Sequence, residues 1–294
     1  MNPRLALALG IICISLSPIL VKGMPVPGLS SAFYRIFIAW LVLMPFCLLT
    51  GKLKSISAKD KRIAVLGGLI FASDIAVWNE SIRLSSATVA TLLANLAPVW
   101  VGIISAVFLK ARPALAFWAG TAVAFSGMVL LAGFSTLKNL DFDLGFSLAV
   151  LSSVFYACYI LLTKDVLKRI DTLTFMAWNM LAASAMLLVL CLVFQEPLAG
   201  FSLPSWGGLV ALGLVCQLAG WITINYAIQH LEPTNVSLSL LSQAFVTGLL
   251  AWVFLHEELT LSIITGGLIV LAGISITYLK PHHFRRPRPN ATRL

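Results

Sequence analysis

The chain has 294 residues, of which 60% are apolar and only 11% charged, with a formal net charge of +9. Soluble domains carry about 25% charged residues, so a soluble globular protein is excluded and so is any sizeable extramembrane domain. A bilayer core takes about 20 apolar residues per helix, and such stretches follow one another along the chain, which predicts an all-α polytopic membrane protein.

Ten spans are read in chain order, at about 5–22, 30–49, 63–82, 86–109, 114–134, 144–163, 172–194, 205–229, 234–255 and 260–279. Breakers separate them: Pro25, Pro27 and Gly28, then Gly51, Ser85-Ser86, Pro113, Asp141 and Asp143, Asp171, Pro197 and Pro204, Pro233, and Glu257-Glu258. The first span opens on Asn2-Pro3-Arg4 and closes on Lys22-Gly23-Met24-Pro25 without a small-x-small cleavage site. It reads as a retained helix and not a signal peptide. Pro18 in the first span and Pro98 in the fourth lack the N–H that a helix interior needs, which marks both as hinge candidates.

The third span contains "FASDIAVWNESI", with Asp74, Asn79 and Glu80 in otherwise apolar sequence. An ionised side chain at the bilayer centre costs about 2.5–3.5 kcal/mol on insertion scales, so such groups face protein or water. Glu80 lies near the outer end of the span. Arg83 at i+3 and Arg35, at comparable depth in the second span, are its expected partners, giving a structural ion-pair group of Arg35, Glu80 and Arg83, with a substrate-carboxylate partner as the second reading of Arg35. Asp74 lies mid-span with no cation at its depth. Two readings stand side by side: a protonated or serine-bonded core acid, and a cavity residue that meets a substrate amine or carries a proton.

Other spans carry polar stripes at helical spacing: Thr88, Thr91 and Asn95; Ser152, Tyr156, Tyr159 and Thr163; Gln217, Trp221 and Asn225; Ser239, Gln243 and Thr247. One stripe alone reads as interhelical hydrogen bonding. Four together point to a polar cavity. Trp78, Trp100 and Trp221 lie away from the interfaces where tryptophan belts form, and aromatic walls suit flat or amphipathic solutes. The expected cavity set is Asp74, Trp78, Asn95, Trp100, Tyr156, Tyr159, Gln217, Trp221, Asn225 and Gln243.

Lys and Arg are distributed asymmetrically. With the N-terminus in the cytoplasm, the inside segments hold sixteen of them: Arg4; Lys52, Lys54, Lys59, Lys61 and Arg62; Lys110 and Arg112; Lys164, Lys168 and Arg169; and Lys280, Arg285, Arg286, Arg288 and Arg293. The outside segments hold Lys22, Arg83 and Lys138. Both termini are therefore expected in the cytoplasm. The basic segment 282–294 is read as a cytoplasmic tail, with anionic lipid as a secondary contact.

A shift of 146 residues lays the chain on itself. Asn79 meets Asn225, Thr88 meets Thr234, and Gly102, Gly120 and Gly127 meet Gly248, Gly266 and Gly273. Five helices per copy is an odd number, so the second copy enters from the opposite face. The expected organisation is two inverted five-helix repeats, 1–139 and 140–281, an architecture found mainly in transporters with a mid-bilayer site between the halves.

Two stretches carry a family resemblance. "LLANLAPVWVGIISAVFLKARPALAFWAGTAVAFSGMVLL" (92–131) and "LSQAFVTGLLAWVFLHEELTLSIITGGLIVLAGISI" (241–276) resemble the helix 4–5 signature of the EamA-type drug/metabolite transporter superfamily. Pro98 and the acids Glu257 and Glu258 match the family pattern. Lys110-Ala111-Arg112 in the first copy and Ala244 in the second depart from it. The resemblance implies a carrier of small metabolites, most similar to amino-acid and aromatic-amino-acid exporters, in a bacterial inner membrane.

The expected function is thus a secondary transporter working by alternating access, with a small metabolite and the lipid bilayer as partners, protons as a candidate coupling ion, and no nucleic acid. Export of toxic organic compounds and lipid handling are the alternatives. No GxxxxGK[ST] and no HExxH occurs, and His230, His256, His282 and His283 lie at span ends or in the tail, which argues against an intramembrane enzyme. The five cysteines have no CxxC spacing and read as small core residues. No cofactor and no metal is expected.

Overall fold

The structure, a computed structural model, describes residues 1–84, 87–110, 113–133, 142–256 and 258–278, without the side chains of Lys22, Ile82, Arg83, Ala87, Thr88, Val89 and Leu255. The expected basic tail 282–294 lies outside the described residues. Among those described there is no strand, and ten segments are long and apolar enough to cross a membrane. They are α1 (Pro3–Val21), α2 (Gly28–Leu49), α3 (Ala58–Ser81), α4 (Ala90–Val107), α5 (Leu115–Ala132), α6 (Leu144–Leu167), α7 (Thr172–Val193), α8 (Leu203–His230), α9 (Pro233–Phe254) and α10 (Leu261–Tyr278).

Two helix ends differ from the hydropathy reading. Helix α3 starts at Ala58 and not at 63, because Ser57 caps it. Its Oγ accepts the Asp60 N–H at 3.1 Å and donates to the Asp60 carboxylate at 2.7 Å. Arg169, just past α6, then pairs with Asp60 at 2.8 Å. Helix α6 runs to Leu167 and not 163. Lys164, which the loop-charge reading treats as a topological signal, is instead buried in its last turn. Its ammonium donates to the carbonyls of Gln229 (3.2 Å) and Leu231 (2.5 Å), at the C-terminal end of α8. Such carbonyls have no partner within their own helix, and a cation there meets the negative end of the helix dipole.

Several helices are interrupted. Helix α1 breaks at Leu16, between Pro3–Ser15 and Ser17–Lys22. Helix α4 breaks at Asn95–Leu96, ahead of Ala97–Val107. Pro18 and Pro98 each fall in the first turn after the break, where a missing N–H leaves no helical bond unmade. The interruption lies just before each proline, not at it. Helix α9 breaks at Leu241, without a proline. Helix α8 contains a π-helical stretch, Leu212–Ala219, between Leu203–Ala211 and Gly220–His230.

Consecutive helices run in alternate directions. Asp74 meets Ser152 and Phe71 meets Tyr159, so α3 and α6 are antiparallel. Tyr159 meets Asn225 and Lys164 meets Leu231, so α6 and α8 run the same way. This is what successive crossings of one layer require. Small residues allow the closest approaches. A Cβ on Gly127 would fall 2.6 Å from the Gly266 carbonyl oxygen, and one on Gly273 would fall 2.6 Å from that of Gly120, so α5 and α10 touch backbone to backbone. The apolar interior has two main parts. One joins α1, α2, α3, α6, α7 and α8 with Val101 of α4 and Val236 and Leu240 of α9, and the other joins α4, α5, α9 and α10. Large apolar side chains such as Leu49, Leu115 and Leu203 stay exposed on the outside, as a lipid-facing surface requires.

Candidate functional site: a polar cluster inside the bundle

Polar residues from separate stripes converge where α2, α3, α6 and α8 meet. The Ser152 hydroxyl on α6 donates to the Asp74 carboxylate on α3 at 2.5 Å. Two turns further along α6, the Tyr159 hydroxyl donates to Asn225 Oδ1 on α8 at 2.9 Å, and Asn225 Nδ2 donates to the Trp221 carbonyl at 2.9 Å. Both Tyr159 and Asn225 are fully buried, so each polar atom has its partner inside the bundle.

An aromatic set stands beside these bonds. The Trp221 ring meets Phe71 edge-on at 4.6 Å between centroids, Tyr159 at 5.6 Å and Tyr156 at 6.2 Å. Trp221 is only 6% exposed, and its indole N–H has no hydrogen-bond partner among the described residues. A buried donor left unmade costs about 1–3 kcal/mol, so this atom is a point where a ligand acceptor would be favoured.

Arg35 joins the cluster from α2. Its Nε donates to Gln217 Oε1 at 2.9 Å, and its Nη1 donates to Ser17 Oγ at 3.2 Å. Arg35, Asp74 and Tyr156 lie within electrostatic reach of one another. The arginine is aimed from two irregular points. Ser17 is the first residue after the α1 break, and Gln217 lies in the π-helical stretch of α8. Stretches of that kind frequently occur at functional sites.

The expected residues divide accordingly. Asp74, Tyr156, Tyr159, Gln217, Trp221 and Asn225 come together. Trp100 packs beside them, its Nε1 donating to Ser153 Oγ on α6 at 2.9 Å. Trp78 is half-buried one turn beyond Asp74. Asn95 serves the α4 break, donating from Nδ2 to the Thr91 carbonyl at 2.7 Å. Gln243 is engaged through its backbone carbonyl, which accepts from Ser15 Oγ at 3.3 Å. Arg35 leaves the rim group in which its depth placed it with Glu80, because its bonds run to Gln217 and Ser17. The side chain of Arg83 lies outside the described residues. Ser152 and Ser17 are the partners that residue-level reading did not assign. Ser152 heads the α6 polar stripe and was detectable there, whereas nothing local to Ser17 marks it.

The sequence profile described as the EamA-like transporter family matches the chain twice, over residues 3–133 and 143–279. The chain belongs to the EamA-like transporter family. As a member it is a transporter and not an enzyme, and it is a multi-pass membrane protein. It is similar to an uncharacterized transporter of Archaeoglobus fulgidus, 25% identical over 93% of this chain and 95% of the relative. It is also similar to the probable terminal-alkyne amino-acid exporter of Streptantibioticus cattleyicolor, 28% identical over 68% of this chain and 66% of that protein. The pseudopaline exporter CntI of Pseudomonas aeruginosa is 24% identical over 86% of this chain and 87% of its own length. A solved crystal structure shares the fold, with a TM-score of 0.80 over 95% of this chain and 97% of that one, at 19% identity. For an EamA-like transporter the cluster has a consistent placement: it draws on α2 and α3 from the first matched unit and on α6 and α8 from the second.

Proposed function

We propose that this EamA-like transporter exports small metabolites, amino acids and aromatic amino acids among them, across a bacterial inner membrane, by alternating access around the polar cluster. The observation that carries the reading is the Asp74–Ser152 bond, which ties an acid of the first unit to a helix of the second inside an aromatic-lined cluster. Two relatives named as exporters, one of them of an amino acid, support the direction and the solute class.

In this reading residues 1–139 and 140–281 are inverted halves that rock about the cluster. Two observations support the inversion. The α4 break at Asn95 and the α9 break at Leu241 are 146 positions apart, the same shift that aligns the repeat. The contact of Gly127 with Gly266 and that of Gly120 with Gly273 also exchange under that shift. Asp74 then meets the substrate amine or exchanges it for a proton. The test is reconstitution into liposomes, with labelled amino acids and with or without a pH gradient. Asp74→Asn is expected to impair transport while expression is kept. Unchanged transport would remove Asp74 from the site. A folded protein that moves no solute of a broad panel, or moves lipid alone, would overturn the reading.

A further inference from the structure

Arg35 and Asp74, a basic and an acidic side chain, lie in the same part of the bundle, and among the described residues no direct ion pair joins them. Each is held by neutral side chains instead, Asp74 by Ser152 and Arg35 by Gln217 and Ser17. Opposite charges in a low-dielectric interior attract strongly, and a charge taken out of water is costly unless it is paired. The neutral partners thus leave the acid and the base without a direct pair between them.

The donors on the arginine side exceed their acceptors. A guanidinium carries five N–H groups, and among the described residues the bonds of Arg35 engage its Nε and Nη1. Four positions along α8 from Gln217, the Trp221 indole N–H is buried without an acceptor among the described residues. The aromatic rings join the two sides. Phe71 lies three positions before Asp74 on α3 and meets the Trp221 ring of α8.

We propose that Arg35, with the Trp221 N–H, seats the carboxylate of the substrate, and that Asp74, with Ser152, seats its ammonium, so that the carrier selects solutes with a zwitterionic head. The proposal rests on the carrier reading above and adds to it the chemical head group and the residue that recognises it. An arriving zwitterion bridges the base and the acid. Its carboxylate accepts from the guanidinium and the indole, and its ammonium donates to Asp74, so it brings no net charge. An amine leaves the donors on α2 and α8 unmatched, an ester offers them only a neutral carbonyl in place of a carboxylate, and a simple acid leaves Asp74 unmatched. Sites built to hydrogen-bond a group reject analogues that lack it.

The test uses the full chain in two assays, counterflow in liposomes and ligand-induced change in tryptophan fluorescence in detergent. The probes are the proteinogenic amino acids and, for the one that binds best, its decarboxylated amine, its methyl ester and its deaminated acid. The zwitterion is expected to bind at least about tenfold more tightly than the other three, the loss that follows from removing one charge-assisted contact. Arg35→Gln should abolish the preference for the acid over its ester. Arg35→Lys keeps the charge without the fork and should weaken the preference, which keeps the test valid if Arg35→Gln does not fold. Trp221→Phe keeps a ring and removes the donor, and should weaken zwitterion binding severalfold. An amine or ester that binds as tightly as the amino acid overturns the proposal, as does an unchanged preference in folded Arg35→Lys and Trp221→Phe. Transport of an ester or amine without the zwitterion leaves the carrier reading standing and removes this one. Binding of an amino acid that the Arg35 variants lose, with no transport of any solute, does the reverse.

Discussion

At the scale of residues, stability inside the bundle rests on polar atoms that find partners on other helices. Tyr159 and Asn225 illustrate it. Removing the hydroxyl in Tyr159→Phe leaves Asn225 Oδ1 buried with no donor, and such a loss costs about 1–3 kcal/mol. The melting temperature in detergent is expected to fall, with the far-UV spectrum unchanged. Lys164 is a second case, for a charge. Lys164→Met removes the donor to the Gln229 and Leu231 carbonyls and leaves the end of α8 without its cap. A lower melting temperature is expected there too, and a change no larger than that of an exposed control such as Lys168→Met would show the cap to be unimportant. Neither atom pairing is visible in a helical wheel, which gives the direction of a side chain but not what faces it.

At the scale of elements, helix contact and helix interruption are set by different residues. Contact between α5 and α10 needs glycine at 127 and 266, where the backbones meet. Gly127→Val should push the helices apart and lower thermal stability by about 1–3 kcal/mol, the usual range for overpacking. Gly207→Ala is the contrast. A Cβ there meets nothing within 4 Å, and alanine favours the helix over glycine by up to about 1 kcal/mol, so stability should hold or rise. Equal loss in both variants would mean that glycine acts here through flexibility and not through contact. Interruptions have two origins. Those of α1 and α4 sit just ahead of Pro18 and Pro98 and follow from local chemistry. The π-helical stretch of α8 has no such mark. It places Gln217 on Arg35, and Gly213 within it lies so close to α2 that a Cβ would fall 2.8 Å from the Ile38 side chain.

At the scale of the whole molecule, orientation is the open physical question that loop charge answers in advance. The segment with Lys52, Lys54, Lys59, Lys61 and Arg62 is expected in the cytoplasm, and the segment after α7 with Gly200 outside. The five native cysteines are unpaired, so labelling needs a cysteine-free background. In that background Gly200→Cys should react with a membrane-impermeant maleimide on intact cells, and Lys54→Cys only after permeabilisation. The opposite pattern would reverse the orientation, and equal reaction of both would require an even number of crossings between them, where α3 to α7 make five.

Hydropathy, turn residues and repeat spacing were enough to count ten helices and to name the side chains that end in the cluster, Asp74, Tyr156, Tyr159, Gln217, Trp221 and Asn225 among them. The reason is that a helix in lipid satisfies its backbone bonds within its own segment, so its existence depends on local sequence alone. The partners of those side chains could not be read that way. Arg35 looked like the neighbour of Glu80 by depth, and bonds Gln217, 182 positions away. Asp74 could be read as serine-bonded, but not to which serine, and its partner is Ser152, 78 positions away. Which polar groups meet depends on how helices rotate and cross once packed, and on the α8 π-stretch and the α1 break that turn two of them. Those are properties of contacts between segments, and no stretch of the chain carries them by itself.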